Sequence, residues 1–181
     1  IMTHGYHPGI SVYSPYLGAS YSVVEALARL TAMGCDHTKA RLTNQEYFER
    51  LGNHPEKWGK PMQALLGLIE AELAFETPAI GGKDSMSGTF NDISVPPTLI
   101  TFAVTIEKTN HILSPEFKEA GHYIYLVKHT PKEGYVPNYE QLKENFAAVR
   151  RHILDQTILS ACTVKFGGLA EALCKMSFGN K

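Results

Sequence analysis

Segments with a helical spacing of apolar residues alternate along this chain with short segments rich in β-branched residues, and this alternation constrains the fold most strongly. The first helix is predicted over residues 19–33, with Gly34 as a left-handed cap at its end. A second helix is predicted over residues 60–75, with Pro61 in its first turn, after a loop over residues 53–59. Its apolar stripe, which we expect to pack in the core, consists of Met62, Leu65, Leu66, Ile69 and Leu73.

The β-rich segments predict short strands between and after these helices. Residues 40–43 form a candidate strand, and residues 78–82 predict a short buried strand that ends in a glycine turn. The segment 99–104 is expected to be a central strand of a sheet. Residues 122–129 and 159–164 also have the pattern of strands. Alternating elements of this kind favour an α/β or α+β layer structure over a helical bundle or an all-β sandwich.

A polar stretch over residues 107–121 interrupts the pattern and predicts a domain boundary. Beyond it, a helix is predicted over residues 138–156, where Asn138 followed by Gln141 resembles a capping box. A closing helix is predicted after the glycine pair Gly167–Gly168. The chain is therefore expected to contain one ordinary domain or two small ones.

Charge and length limit the classes of function. A formal net charge of -1 over 181 residues gives no basic excess for binding a nucleic acid or an anionic membrane. Without a long apolar run or a signal-peptide pattern, we expect a soluble, cytoplasmic protein with a small-molecule partner. Cys35, Cys162 and Cys174 have no metal-site spacing and are expected to be reduced and mostly buried. The missing initiator Met and the unfinished helical pattern that precedes residues 179–181 suggest a piece cut from a longer chain.

The segment 81–88, GGKDSMSG, combines glycines, a cation, a carboxylate and two hydroxyls. Glycines let backbone N–H groups approach phosphate oxygens, Lys83 supplies a compact positive charge, and Asp84 is a hard oxygen ligand suited to Mg²⁺. The spacing differs from that of a Walker A loop. From the residues alone, a polar turn is the favoured interpretation of this segment.

Two further positions are candidates for binding. Gly167–Gly168 follows a predicted strand and opens a helix, an arrangement that suits an anion but also an ordinary tight turn. Glu25 and Arg29 share one helix face, where an ion pair within the helix is the alternative to a functional role. The segment 4–7 holds two histidines without a neighbouring carboxylate or cysteine, which argues against a metal site there.

Together these segments resemble the phosphoribosylformylglycinamidine synthase family. The sequence PAIGGKDSMS at 78–87, followed by SVPPTLI at 94–100, is similar to the family's GKDSxS element and the strand after it. VEAL at 24–27 resembles the family's GEAL helix, and FGGLAEAL at 166–173 resembles its DGGL element. The three elements occur in the family's order.

The resemblance implies an ATP- and glutamine-dependent C–N ligase of purine biosynthesis, which converts formylglycinamide ribonucleotide to the amidine. This chain is similar to the second of the family's two AIR-synthetase-like halves, with residues 1–110 as its A domain and 111–181 as a truncated B domain. The implied A domain contributes half of a shared barrel. ATP and Mg²⁺ are the implied cofactors, and the remaining domains of the parent synthase are the implied partners.

The resemblance also assigns roles to residues. Phosphate or nucleotide binding is implied for Gly81, Gly82, Lys83, Asp84, Ser85, Gly167 and Gly168, and metal binding for Glu25 and Asp84. Arg29 stands where the family carries a metal-side Asn, and residues 163–166 lack its aspartates. The alternative is therefore a non-catalytic structural half with a vestigial or auxiliary nucleotide site. An isolated chain of this kind is expected to be inactive and to form a homodimer through its barrel face.

Overall fold

The computed structural model of the protein describes residues 1–178. Its helices are α1 (Pro8–Tyr13), α2 (Pro15–Ala32), α3 (Pro55–Phe75), α4 (Tyr139–Leu154) and α5 (Gly168–Ser177). Its strands are β1 (Met2–Gly5), β2 (Arg41–Tyr47), β3 (Ala79–Ser85), β4 (Thr89–Phe90), β5 (Ile93–Ser94) and β6 (Thr98–Val104). The fold is therefore mixed α/β, as the sequence predicts.

The main sheet has four strands in the order β1-β6-β2-β3. β6 runs antiparallel to both of its neighbours, whereas β2 and β3 are parallel. The predicted central strand is confirmed, because β6 lies inside the sheet. Within residues 1–178 the sheet is open, with β1 and β3 at its edges, and it does not close into a barrel. β4 and β5 form a separate two-stranded ribbon beyond β3.

Helices α2 and α3 cover one face of the sheet and pack against each other. Two glycines bring the layers into close contact. A Cβ at Gly5 of β1 would lie 1.9 Å from the Ser22 carbonyl oxygen, and a Cβ at Gly67 of α3 would lie 2.1 Å from the Tyr16 carbonyl oxygen. The absence of a side chain at these positions lets the backbones approach closely. The core between the layers includes Val23, Leu27, Leu30, Leu42, Phe48, Leu68, Phe75, Leu99 and Ala103.

α3 differs from the prediction in its start and in the face that it buries. The helix begins at Pro55, so the predicted loop over residues 53–59 is largely helical and Pro61 lies inside the helix. The predicted core stripe is wrong, since all five of its residues are exposed, from 40% at Leu65 to 73% at Leu73. The opposite face is buried instead, and it carries mainly small residues that allow close contact with α2: Pro61, Ala64, Gly67, Leu68, Ala71 and Phe75.

The helix ends match local sequence chemistry better. α2 is followed by Gly34 at a φ of 89°, which confirms the predicted left-handed cap. At α4 the Asn138 side chain accepts a hydrogen bond from the Gln141 N–H at 3.3 Å. The Gln141 side chain accepts from the Thr130 N–H instead of closing a reciprocal box. One half of the predicted capping box is therefore present.

A charged cluster ties α4 to the end of α2. Arg150 of α4 donates to the Gly34 carbonyl and to the Glu107 carboxylate, both at 2.7 Å. His111 also hydrogen-bonds Glu107, at 2.9 Å. Burial opposes ionisation of Glu107, but the hydrogen bonds from His111, the Lys108 N–H and Arg150 outweigh it and lower the pKa of Glu107 to about 2.

The second part of the chain contains fewer elements than predicted. Residues 122–129 and 159–164 have no strand pairing, so the two predicted strands are absent from the described structure. An alternating pattern sets which side chains share a face, but a strand also needs a neighbouring backbone with free hydrogen-bonding groups. The helices α4 and α5 form as predicted.

Two expectations from composition meet different outcomes. All three cysteines are free, but only Cys35 is buried; Cys174 is exposed. The expectation that the thiols are mostly buried is therefore wrong for Cys174. Among residues 1–178, no helix has the length and apolar character needed to cross a membrane.

Candidate functional site

The glycine-rich segment lies on an edge strand, and the predicted turn at Gly81–Gly82 is wrong. Both glycines and the following Lys83 and Asp84 belong to β3, which continues to Ser85 and is exposed over almost its whole length. β3 is also not the buried strand that its apolar start suggests. A Cβ at Gly82 would lie 2.7 Å from the Asn44 carbonyl oxygen, so Gly82 serves the close approach of β3 to β2.

The pairing of β3 with β2 sorts the charged residues onto two faces of the sheet. Lys83 is paired with Gln45 on the face that α2 and α3 leave bare. Asp84 is paired with Glu46 on the face that the helices cover. At the end of β3, the hydroxyls of Ser85 and Ser87 are 3.0 Å apart. The strand therefore offers a cation on one side and a carboxylate on the other.

Glu46 is a site residue that the sequence did not indicate. It is 3% exposed, and neither carboxylate oxygen has a hydrogen-bond partner among the described residues. Burial, followed by the charge of Asp84, raises the pKa of Glu46 to about 7. Glu46 lies beyond the strand predicted over residues 40–43, whereas β2 extends to Tyr47 and its alternation directs Glu46 into the protein interior.

A polar chain continues from Glu46 along the same face. Asn44, two residues earlier on β2, donates from its Nδ2 to Glu72 of α3 at 3.0 Å. Its Oδ1 is buried and has no partner within residues 1–178. Burial raises the pKa of Glu72, against the lowering effect of the Asn44 hydrogen bond. Carboxylate and amide oxygens thus line the helix-covered side of β2.

The predicted metal residue Glu25 is already engaged within the protein. One of its oxygens accepts a hydrogen bond from the Tyr6 N–H at 2.9 Å, and the other forms an ion pair with Arg29, one turn along α2. Arg29 places a permanent positive charge where a cation bound to Glu25 would lie. This environment does not suit Mg²⁺, so we derive no metal chemistry at Glu25.

Glu25 and Arg29 line a large cavity of about 2060 Å³ between α2, α4, α5 and the irregular segments 117–129 and 157–166. Two of its lining residues stack on each other, the His7 ring on Phe166, with ring centroids 4.7 Å apart. Phe166 is therefore packed against an aromatic ring at the position where a family metal ligand was expected.

The second glycine pair is also engaged. The Gly167 N–H donates to the Glu171 carboxylate at 2.7 Å, and the Gly168 N–H donates to the Lys165 carbonyl at 2.9 Å. The start of α5 thus has a carboxylate of its own where an external anion would bind. Gly168 has a φ of 69°, a left-handed conformation that favours glycine. The backbone conformation alone therefore explains why this position carries glycine.

The structure keeps the predicted site residues in two separate groups. Glu25 lies beside the end of β1, and Asp84 lies on β3 at the opposite edge, three strand spacings or roughly 14 Å across the sheet. One ion therefore does not contact both residues. In the described part of the chain, no group of three or more His, Cys, Asp or Glu side chains is placed to hold a metal.

Comparison with known proteins gives a consistent set of relatives, although no family model matches the chain. It is 28% identical to the phosphoribosylformylglycinamidine synthase subunit PurL of Methanocaldococcus jannaschii, covering 92% of this chain and 26% of that protein. The PurL subunit of Lacticaseibacillus paracasei is 29% identical, with 91% and 24% covered. The chain thus spans about a quarter of the length of the curated relatives that it matches.

Solved structures show the same likeness in fold. Thermotoga maritima PurL complexed with ADP superposes with a TM-score of 0.68 at 15% identity, covering 97% of this chain and 28% of that one. The AMPPCP complex of the same protein gives 0.69 at 14% identity, covering 97% and 29%. The arrangement of helices and strands described above is therefore one that occurs within a longer protein.

Proposed function

We infer that this chain is a part of a phosphoribosylformylglycinamidine synthase, from the second of its two AIR-synthetase-like halves. Sequence likeness to PurL subunits over most of the chain supports the relation to this synthase, as does the superposition on PurL from Thermotoga maritima. The placement in the second half follows from the resemblance of the segments 24–27, 78–87 and 166–173. The division into an A domain over 1–110 and the start of a B domain over 111–181 belongs to the same proposal. So does a cytoplasmic location.

The parent protein is proposed to convert formylglycinamide ribonucleotide to its amidine with ATP and ammonia from glutamine. In such a reaction ATP phosphorylates the amide oxygen and ADP leaves. Ammonia then forms a bond to the activated carbon, the bond from that carbon to oxygen breaks, and inorganic phosphate leaves. The protein has to stabilise negative charge on the phosphoryl group and to hold substrate and nucleotide together. A chain of this length contributes one wall of such a site, and the isolated chain is expected to be inactive.

The observation that carries the proposal is the exposed edge strand β3. It presents Gly81, Gly82 and the Lys83 cation together along one accessible strand. An edge strand has unpaired N–H groups, and glycines let an anion approach them without hindrance. We assign to β3 the binding of phosphate groups, with Lys83 as the neutralising charge and Ser85 as a hydroxyl donor.

A second function is favoured for the opposite edge of the sheet. There the ion pair of Glu25 with Arg29, the stack of His7 on Phe166, and the bond of Gly167 to Glu171 occupy the groups that a nucleotide and its metal would need. We propose that this side is a vestigial nucleotide site with a structural role. Its loss leaves the chain as a partner for the remaining domains of the synthase.

The bare face of the sheet is the proposed contact with those domains. On this face Met2 of β1 is paired with Val104 of β6, and both side chains are exposed. His4 of β1 and Tyr47 of β2 are also exposed there. A partly apolar sheet face of this kind tends to be covered in an assembled protein. In the isolated chain a second copy is the proposed substitute, so a homodimer is expected.

Calorimetric titration of the chain with ATP and ADP in Mg²⁺ tests the phosphate assignment. Lys83→Ala and Asp84→Ala are compared with wild type, and Lys143→Ala, an exposed lysine on α4, serves as the charge-matched control. Binding that is lost in Lys83→Ala and kept in the control supports the assignment. Asp84→Ala reports separately on the metal role of Asp84, because its side chain lies on the opposite face of β3 from Lys83. Binding that Lys83→Ala leaves unchanged refutes the assignment, and no binding by wild type leaves β3 as a scaffold element.

A further inference from the structure

The buried carboxyl of Glu46 lacks a compensating partner in the described structure. Its side chain points between the sheet and the helices, is 3% exposed, and accepts no hydrogen bond at either oxygen from residues 1–178. A buried charge without a partner is costly, so such a group is either neutral or binds a cation. The surroundings of Glu46 distinguish between these two states.

Two more oxygen ligands lie on the same face as Glu46. Asp84 is its direct neighbour on β3, and paired residues of adjacent strands are separated by about 5 Å at the backbone. Asn44 precedes Glu46 by two residues, and its Oδ1 is buried and unpartnered in the described chain because the amide nitrogen bonds Glu72. A protonated Glu46 has one O–H and would donate a hydrogen bond to only one neighbouring oxygen. A cation would instead be a partner for the Glu46 carboxylate, the Asp84 carboxylate and the Asn44 Oδ1 together.

Access to this position comes from the edge of the sheet. Asp84 is exposed, and Gly82, which pairs with Asn44, has no side chain to cover the approach. The carboxylate oxygens of Glu46 are themselves buried, so an ion that enters from this edge meets Asp84 first.

We propose that Glu46, Asp84 and the Asn44 Oδ1 bind one hard divalent cation, Mg²⁺ or Ca²⁺, with Glu46 as the buried ligand. The two carboxylates neutralise the ion, and water completes its coordination, as is usual for Mg²⁺. The site has two carboxylates, and among the described residues no third His, Cys, Asp or Glu side chain joins them. Water molecules therefore supply the remaining ligands of the ion. The site extends the proposed metal role of Asp84 and does not depend on nucleotide.

The test is the thermal unfolding of the full chain at pH 8 in chelator-treated buffer, with MgCl₂ or CaCl₂ added and no nucleotide present. A site with a Kd on the order of 1 mM raises the folded-to-unfolded ratio about tenfold at 10 mM cation. Glu46→Gln keeps the size of the side chain and removes its charge. Asp84→Asn changes only an exposed position, and Glu144→Gln on α4 is the exposed control.

The cation is expected to stabilise wild type and Glu144→Gln about tenfold, and to have no more than a twofold effect on Glu46→Gln and Asp84→Asn. Stabilisation of Glu46→Gln equal to that of wild type would overturn the proposal, as would a wild-type protein that does not respond to either cation. In the latter case Glu46 is a neutral core carboxyl. Because nucleotide is absent, failure here leaves the phosphate assignment of Lys83 to be decided by its own titration.

Discussion

Replacing Gly67 with alanine is expected to destabilise the fold, although alanine is the better helix former. Gly67 lies in α3 where it crosses α2, and an added Cβ would be 2.1 Å from the Tyr16 carbonyl oxygen and 2.8 Å from the Ser20 Oγ. The nearer atom belongs to the backbone of α2, which cannot rotate away. The two helices must therefore separate to admit a methyl group.

The size of the effect follows from three contributions. Overpacking of a tight core costs about 1–3 kcal/mol. The Ser20 hydroxyl donates to the Gly67 carbonyl at 3.1 Å, and separation of the helices removes this bond, at roughly 1 kcal/mol. The higher helix propensity of alanine stabilises the folded state by roughly 1 kcal/mol and so offsets part of these two costs. We expect Gly67→Ala to lower the free energy of unfolding by about 2 kcal/mol.

Gly59 provides a matched control in the same helix. A Cβ at Gly59 has no heavy atom within 4 Å, so Gly59→Ala is expected to stabilise the protein by roughly 0.5–1 kcal/mol. Urea unfolding followed by circular dichroism measures both variants against wild type. If Gly67→Ala were as stabilising as Gly59→Ala, the close packing of α2 on α3 described above would be wrong.

Three further predictions test other parts of the fold. Glu107→Gln removes an ion pair with Arg150. The pKa of Glu107 is about 2 in the folded protein, below its ordinary value of 4.5, so the stability that its charge contributes is lost as the pH falls from 4.5 towards 2. In acid titrations of stability, the free energy of unfolding of wild type should therefore fall by on the order of 1 kcal/mol more than that of the variant. Leu68 is 6% exposed, so Leu68→Ala should lower the free energy of unfolding in urea by about 2–3 kcal/mol. Leu66 is 50% exposed, so Leu66→Ala should lower it by under about 0.5 kcal/mol. Equal losses in the two variants would contradict the face that α3 buries. Gly34→Ala should lower the melting temperature, since the φ of 89° costs an L-residue about 1–2 kcal/mol.

Local chemistry in the sequence predicted the C-terminal end of α2 and the start of α4 well, whereas α2 begins at Pro15, four residues before its predicted start. Gly34 and Asn138 act on backbone groups within a few residues, so their roles do not depend on the rest of the fold. The alternation of helical and β-rich segments likewise predicted a mixed α/β structure, because each period specifies its own element. These features could be derived without knowledge of tertiary contacts.

The face of α3 could not be predicted in the same way. Its larger apolar residues, including Leu66 and Leu73, form a clear stripe, yet the structure buries the face with Gly67 and Leu68. The choice depends on how closely α2 approaches, which is a tertiary property. Hydrophobicity alone favours the larger residues, whereas the close contact between helices favours the smaller ones.

The candidate site was recognised in part. Lys83 and Asp84 were identified from their composition and from the family resemblance, but the strand that contains them was predicted as a bend because glycines usually mark turns. Glu46 was missed, because the strand predicted over residues 40–43 extends to Tyr47 in the structure and a single carboxylate beyond its predicted end has no local signature. Only the parallel pairing with β3 places it beside Asp84.

In the proposed function, β3 binds phosphate while the opposite edge of the sheet is closed to nucleotide. Backbone amide chemical shifts of the ¹⁵N-labelled chain, titrated with ATP and Mg²⁺, test it most directly because glycine amides report on each edge. Shifts are expected at Gly81 and Gly82 and not at Gly167, whose N–H already donates to Glu171. Shifts at Gly167 and Glu25 without any on β3 would contradict it.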